Sequence, residues 1–584
     1  MRKANKITAG MAGLLTLLIS VEASADAIER NLPPAPLPQG PADLVPPNAL
    51  PQELDTVPLG PKVGAIVLLG KKDDVVTAKG LKGIDASRVA DLQDEASQAK
   101  LAAYVGQPVT RRLIAEIEAT VANIYRAKGL PFVAVLTPPQ EISEGVLQFR
   151  IVDFTVGRVT ASGNSRASAE FYTDRVRVKP GERVETEPLL QDLDWINRSN
   201  FHKAEAIFTP GSKAGETDLN LRVTEGKPWR VYAGYANSGA PSSTESRYFV
   251  GGTVGDVLIP DSFFSYQFTG SRDFWYDEGS LFNNARHPSY ASQAARLVVP
   301  TAPRQQIEAL FSEVETSKDR EFITFRQRTI EGSIAYRSAL SNFTNLGGDI
   351  YGGVEAVHQN SDAILNLFDV DIAALVDVYQ VFAGWSGGFT TLAGASQLDV
   401  SVHSSPGGVG NHNDSTHFKN YSVGASGSRV TSARYDFVEA TLVHDLPIVP
   451  GVSFHTEIAG QLTTAALPES QQIGIAQIRG YNSDDGSFDT GVLTRNEVRL
   501  PTFNALGRFT TLQDNALPYV FFDAGYAKDR FDGSSLTPMS AGAGLAYSIG
   551  RNFSASVDGA YAMHDAMDTK SGDWRAEVKL TVSY

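Results

Sequence analysis

The sequence predicts two tandem α/β units followed by a 16-stranded antiparallel transmembrane β-barrel, on three observations. The last eight residues alternate without a fault, a β-α-β-β order occurs twice in the N-terminal half, and helix-period segments give way to period-two segments from Trp229 onward. In Glu577 to Tyr584, Val578, Leu580, Val582 and Tyr584 fall on one face and Glu577, Lys579, Thr581 and Ser583 on the other. Period two places such sets on opposite sides of a strand. Repeated over roughly 350 residues, it describes a barrel that is apolar outside and wet inside, with the terminal aromatic at the headgroup girdle.

Residues 1–25 read as a signal peptide: Arg2, Lys3 and Lys6 precede a mostly apolar Ile7–Val21, and Ala23-Ser24-Ala25 supplies the small residues of a cleavage site. No later run reaches the ~20 apolar residues of a membrane helix, so a membrane crossing must be made by strands. Residues 26–62 form a proline-rich linker, with ten prolines between Asn31 and Pro61.

Residues 63–153 form the first α/β unit. A strand is expected at Ala65–Leu69, a helix from Thr110 to Lys128, and strands at Phe132–Leu136 and Val146–Val152. In the helix Leu113, Ile114, Ile117, Val121, Ile124 and Tyr125 make one stripe, Thr110 caps the start and Gly129 ends it. Residues 154–226 repeat the order, with a strand at Val156–Thr160, a helix carrying Leu189, Leu193 and Ile196, and strands at Ala204–Thr209 and Asp218–Val223.

Residues 229–584 form the barrel. Phe264, Tyr266 and Phe268 alternate with Ser265, Gln267 and Thr269; Ile350, Val354 and Ala356 oppose Asp349, Tyr351 and Glu355; Phe553, Ala555, Val557 and Tyr561 oppose Ser554, Ser556 and Asp558. Membrane strands of ~9 to 11 residues suit this pattern, and at about 22 residues per strand and connection the region holds about 16 strands around an aqueous lumen. Tyr421–Val430 is assigned to a loop, because an even count returns both ends of the barrel to one side. Counting back from Tyr584 gives strands near 574–584, 552–563, 537–549, 518–527 and 488–500. By parity, the loop at about 462–487, which carries Ile478-Arg479-Gly480-Tyr481, is extracellular. On the strand that follows the 488–500 segment, Val520, Phe522 and Ala524 face lipid while Phe521, Asp523 and Gly525 face the lumen.

These residues resemble the TpsB transporters of two-partner secretion, the haemolysin secretion/activation type (ShlB/FhaC/HecB) within the BamA-like superfamily. Arg479-Gly480-Tyr481 is similar to the family's VRGY/F loop motif, with Ile478 in place of valine. Phe521, Asp523 and Gly525 match its FxDxG strand motif. Thr209-Pro210-Gly211 followed by Gly215, Thr217, Asp218 and Leu219 resembles the end of its second POTRA domain. The resemblance spans nearly all of the mature chain and makes the two α/β units POTRA domains 1 and 2. It implies that Arg479 pairs with Asp523, that Gly480 lets the loop turn tightly, and that Tyr481 wedges against the wall. An arginine fork fits a carboxylate, and neither ion is cheaply left alone in a narrow lumen. Arg495, Glu497 and Arg499 are assigned to general lumen charge. Family members often carry an N-terminal plug helix, for which Asp26–Arg30 is too short here.

The net charge of −15 and the lack of a basic stripe exclude a nucleic-acid partner. Cysteine is absent, as suits an envelope protein closed by strand pairing. No HExxH or Walker sequence occurs, Gly424-Ala425-Ser426-Gly427 misses a nucleophile elbow by one position, and His412 and His417 are not assigned to a metal. No enzyme activity, cofactor, metal or catalytic residue is therefore expected. The resemblance implies an outer-membrane pore whose periplasmic POTRA domains capture an unfolded, β-helical exoprotein (TpsA), with outer-membrane lipid and the barrel assembly machinery as further partners. Tyr584 is the expected assembly signal. A BamA-like assembly factor shares both motifs but resembles chains with more POTRA units, and a passive porin leaves the periplasmic units without a task.

Overall fold

The computed structural model describes residues 56–77, 80–163, 166–199, 201–276, 288–319, 323–365, 370–391, 394–424, 427–507 and 512–584. The expected signal peptide, most of the linker and the segment weighed as a plug lie outside them. The chain divides into two compact units, one ending at Lys227 and one beginning at Pro228.

The N-terminal unit contains two small sheets. In the first, Ala65–Leu69 lies between Gly83–Asp85 and Val146–Asp153, parallel to both, and Val133–Leu136 adds antiparallel to the last. The helix Arg111–Ala127 packs on this sheet because its stripe of Leu113, Ile117, Val121, Ile124 and Tyr125 is buried with Ile66, Leu68 and Leu147. Each such side chain contributes about 1.5–3 kcal/mol when removed from water. Thr110 Oγ1 accepts the Leu113 amide at 2.9 Å, and Gly129 leaves the helix at φ +78°. A second helix, Glu95–Ala102, was not foreseen; its apolar pattern is weak and of its hydrophobic residues only Leu101 is buried. In the second sheet Glu216–Glu225 is central, parallel to Thr155–Ser162 and antiparallel to His202–Pro210. Helix Thr186–Ile196 covers it through Leu189, Leu193 and Ile196. The Thr209-Pro210-Gly211 segment turns back on Glu216, whose carbonyl accepts the Gly211 amide at 2.9 Å. Arg183 Nη2 links the regions of the two sheets, donating to Asp91 at 2.6 Å and Asp153 at 2.7 Å.

The C-terminal unit is a closed barrel of 16 antiparallel strands, onto which a two-residue strand, Ser535–Leu536, adds at the thirteenth. It opens with Trp229–Ala236, Arg247–Gly255 and Phe263–Gly270 and closes when the sixteenth strand, Trp574–Ser583, pairs with the first. Outward positions are apolar: Phe264, Tyr266, Val354, Val557 and Val582 are exposed, while Ser265, Gln267 and Thr269 are buried on the lumen side. Strands run longer than the expected 9 to 11 residues where they rise beyond a bilayer's thickness. The seventh, Asp349–Leu365, has 17 and the eighth, Val370–Thr391, has 22. Tyr421–Val430 contributes nothing to the barrel ladder; it holds the end of helix Ser415–Tyr421 and a two-residue pairing, Val423–Gly424 with Gly427–Ser428.

Candidate functional site in the barrel lumen

The loop between the eleventh strand, Val452–Thr463, and the twelfth, Thr490–Arg499, lies at the end of the barrel opposite Trp229. It is folded inward. Ile475, Ile478 and Tyr481 are buried against Leu493, Ala527 and Ala562 of the wall. Arg479 and Asp523, the latter on the thirteenth strand, Asp514–Lys528, are brought together: Arg479 Nε donates to Asp523 Oδ2 at 2.7 Å and Nη2 to Oδ1 at 2.8 Å. The aspartate is fully buried and the arginine 5% exposed. Two parallel hydrogen bonds between ions in this setting are among the stronger polar contacts a protein makes.

The wall is shaped to hold this carboxylate. The ladder between the twelfth and thirteenth strands is continuous except opposite Asp523 and Phe522. There the Asn496 amide donates to Asp523 Oδ1 at 3.1 Å, and the Asn496 side chain donates to the Phe522 carbonyl at 2.9 Å. Side chains thus replace two ladder bonds, and the carboxylate gains a third kind of donor. Phe521 lies beneath the guanidinium, its ring centroid 3.8 Å from Arg479 Cζ, a cation–π contact. Gly525 lets the Leu493 side chain pack close to the backbone: an added Cβ would lie 2.5 Å from Leu493 Cδ2, which would have to shift.

Glu497 corrects the assignment to general lumen charge. Arg479 Nη1 donates to its Oε1 at 2.8 Å, and Arg499 Nε donates to Oε2 at 2.9 Å. Asp558 stands 3.9 Å from the same Nη1. The arginine is therefore held by three carboxylates of three strands, and only one was singled out in the sequence.

Gly480 has φ +90°, a left-handed conformation costly for other residues. It turns the chain so that Tyr481 points into the wall, where its hydroxyl donates to the carbonyl of Met539 at 3.0 Å or of His564 at 2.8 Å and accepts the Met539 amide at 3.1 Å. Further along, Asp485 is fully buried and accepts from the Asp568 and Thr569 amides at 3.0 and 2.8 Å and the Thr569 hydroxyl at 2.7 Å. Gln471 reaches across to Glu355 at 3.1 Å and accepts from Gln380 at 2.9 Å.

At the other end of the barrel Tyr584 exchanges backbone hydrogen bonds with Val231, at 2.9 and 3.1 Å, and its ring lies 5.6 Å from that of Trp229. The seam it borders is short. Lys579–Ser583 pairs with only five residues of the first strand, against nine pairs between the fifteenth strand, Phe553–Ala562, and the sixteenth.

A closed 16-stranded barrel, a buried loop pinned across its lumen and an α/β N-terminal region together define an outer-membrane transporter of the POTRA–barrel class. Comparison with known proteins specifies it. The family model "Haemolysin secretion/activation protein ShlB/FhaC/HecB" matches residues 374–547, and "POTRA domain, ShlB-type" matches 80–153. Over these segments the chain is similar to this family, the TpsB transporters of two-partner secretion. It is 21% identical over 502 residues to the heme/hemopexin transporter protein HuxB of Haemophilus influenzae, covering 82% of each chain. To the outer membrane transporter CdiB-2 of Burkholderia pseudomallei it is 23% identical over 197 residues, 34% of this chain and 32% of that one. Solved structures of CdiB share the fold. That from Escherichia coli has a TM-score of 0.65 at 17% identity, covering 93% and 94% of the two chains; that from Acinetobacter baumannii has 0.57 at 14%, covering 94% and 95%. The barrel lies in the outer membrane with the POTRA region in the periplasm, so the loop bearing Arg479 is on the extracellular side.

Proposed function

We propose that this chain is the pore through which an unfolded, β-helical exoprotein partner leaves the cell, captured first by two periplasmic POTRA domains at residues 63–153 and 154–226. The observation that carries this reading is the joining, in one chain, of a lumen held by Arg479 and Asp523 to sheets with unpaired edges. Among the described residues, His202–Pro210 pairs on one side only, and the second edge of Thr155–Ser162 is met by residues 181–183 at Thr155 and Val156 and left open beyond them. Such an edge accepts an extended polypeptide by strand addition. Export follows cleavage of the signal peptide after Ala25, and barrel assembly follows recognition of the terminal strand by the assembly machinery in contact with outer-membrane lipid.

Deleting residues 63–226 while retaining the barrel tests the reading. The expected product is heat-modifiable on gels and conducts ions in bilayers but secretes no partner. Unimpaired secretion would move recognition into the barrel. A general loss of other outer-membrane proteins in a null strain would favour an assembly factor instead.

A further inference from the structure

Odd-numbered residues of the twelfth and thirteenth strands face the lumen, as the contacts of Arg479 with Glu497 and Asp523 establish. Carried one step beyond the strand ends, the same parity puts Asp489 and Asp529 on the lumen side of the extracellular mouth. Arg429 lies between them. It comes from the loop joining the ninth strand, Gly394–Ser405, to the tenth, Tyr435–Val449. Its Nη1 donates to Asp489 Oδ1 at 3.0 Å and Asp529 Oδ2 at 3.2 Å, and its Nη2 donates to the Leu467 carbonyl. Asp489 is fully buried and also accepts the Leu467 amide at 2.8 Å, Gln472 Nε2 at 3.0 Å and the Arg530 amide at 2.8 Å. One carboxylate thus ties together three consecutive extracellular loops.

The rest of Arg429's loop is packed to match. Asp414 caps helix Ser415–Tyr421 by accepting the Thr416 and His417 amides at 2.7 and 3.1 Å. The helix buries Phe418 with Val430, Val357, Val378 and Leu467. Val378 pairs with Val357 two residues from the Gln380–Glu355 pair, and Gln380 and Glu355 both bond Gln471 of the inward loop. Side chains two apart on a strand share a face. Phe418 and Val430 are therefore seated on the lumen face, next to the inward loop rather than on the barrel's outer surface.

We propose that Arg429 is a positioning residue that makes a second lock on the pore, clamping the loop of helix Ser415–Tyr421 over the loop that carries Arg479 and closing the extracellular mouth. The two arginines engage different carboxylates, Asp489 and Asp529 here, Asp523 and Glu497 below, so either lock releases without the other. The inference rests on the barrel being a conducting pathway and is independent of which polypeptide passes through it.

Single-channel recording of the full-length protein in planar bilayers tests it. Arg429→Ala and Asp489→Asn should each raise open probability about tenfold or more, since removing one member of a buried pair strands the other, while heat-modifiable gel mobility stays native. Arg429→Lys keeps the charge but loses the fork that spans two carboxylates and a carbonyl, and should fall between native and alanine. The Arg429→Ala/Arg479→Ala double variant should open by about the product of the single effects. Native open probability in folded Arg429→Ala and Asp489→Asn would overturn the lock, and a double variant no more open than Arg479→Ala would show one lock rather than two. Should Arg429→Ala fail to insert, Arg429→Lys and Asp489→Asn decide by the same criterion. Absence of any conductance in native and variant alike would instead refute the pore.

Discussion

The guanidinium of Arg479 meets both carboxylate oxygens of Asp523, at 2.7 and 2.8 Å, although 44 residues separate them in the chain. This places a loop that begins outside the cell at the barrel wall, deep in the lumen. On the proposed function a polypeptide passing through would have to displace that loop, which would make the pair both fastening and obstruction. Glu497 and Phe521 reinforce it from either side.

Breaking the pair has a cost that can be anticipated. Removing one member of a buried ion pair costs about 3–5 kcal/mol, against about 0–1 for an exposed one. Arg479→Ala and Asp523→Ala should each cripple secretion while the barrel still inserts, and the double variant should be little worse than either. A double-mutant cycle on secretion measures the coupling. Independent, multiplying losses, or normal secretion by Arg479→Ala, would show that the two do not work as a unit.

What was legible in the sequence was whatever repeats locally. Ala65–Leu69, the helix after Thr110 and the alternation of Phe264 to Thr269 are set by neighbouring residues, and the structure has them where their periods placed them. Arg479 and Asp523 each sit in a short run whose spacing marks it. Glu497 carries no such mark. It joins the site only because the twelfth strand pairs it with Phe521, and that register is fixed by a ladder, not by composition. Arg429 is harder still, since it finds Asp489 across 60 residues through a loop with no period at all. The helix Glu95–Ala102 was missed for the opposite reason: small and polar residues form most of it, and its neighbours hold it in place.

Tyr481 offers a test that leaves the charges untouched. Tyr481→Phe removes the hydroxyl that accepts the Met539 amide and donates to the carbonyl of Met539 or His564. An unsatisfied buried group costs about 1–3 kcal/mol, so the loop should be loosened but not released. Secretion should fall less than for Arg479→Ala, and protease added outside cells should cut within 464–489 faster than in the native protein. Unchanged cleavage would mean that the ring alone holds the loop.

The terminal strand should be needed for assembly. Val578, Leu580, Val582 and Tyr584 form its outward row, and its five ladder pairs with the first strand, flanked by the bonds of Tyr584 to Val231 and of Val578 to Asn237, close the barrel there. Deleting Val578–Tyr584 should leave a protein that does not become heat-modifiable and is degraded in the periplasm. Tyr584→Ala should slow assembly rather than abolish it, because Tyr584 meets Val231 through backbone atoms. A folded outer-membrane barrel from the deletion would remove the strand's proposed role.

Acidification should favour the closed extracellular mouth through Asp529. Burial first, and then the neighbouring Asp489, push its carboxyl above the ordinary value of 3.8, while Arg429 pulls the other way and Asp532 adds a smaller upward push. A carboxyl with a raised folded pKa binds its proton more tightly in the folded loop. Its contribution to the closed state is thus fully present below 3.8 and is lost as pH rises from there through the raised value. At neutral pH the cost of holding this charge is felt in full. Open probability of the native protein should therefore fall as pH is lowered from neutral towards that window. Asp529→Asn, whose single amide oxygen can accept from Arg429 or from the Phe531 amide but not from both, carries no charge and should show a shallower dependence. Other ion-pairing groups stand nearby, His358 and His412 beside Asp377 and His417 beside Asp414, so the informative quantity is the difference between the two pH profiles. Superimposable profiles would mean that Asp529 keeps its proton balance whether the loop is latched or free, and that its closeness to Asp489 has no bearing on the gate.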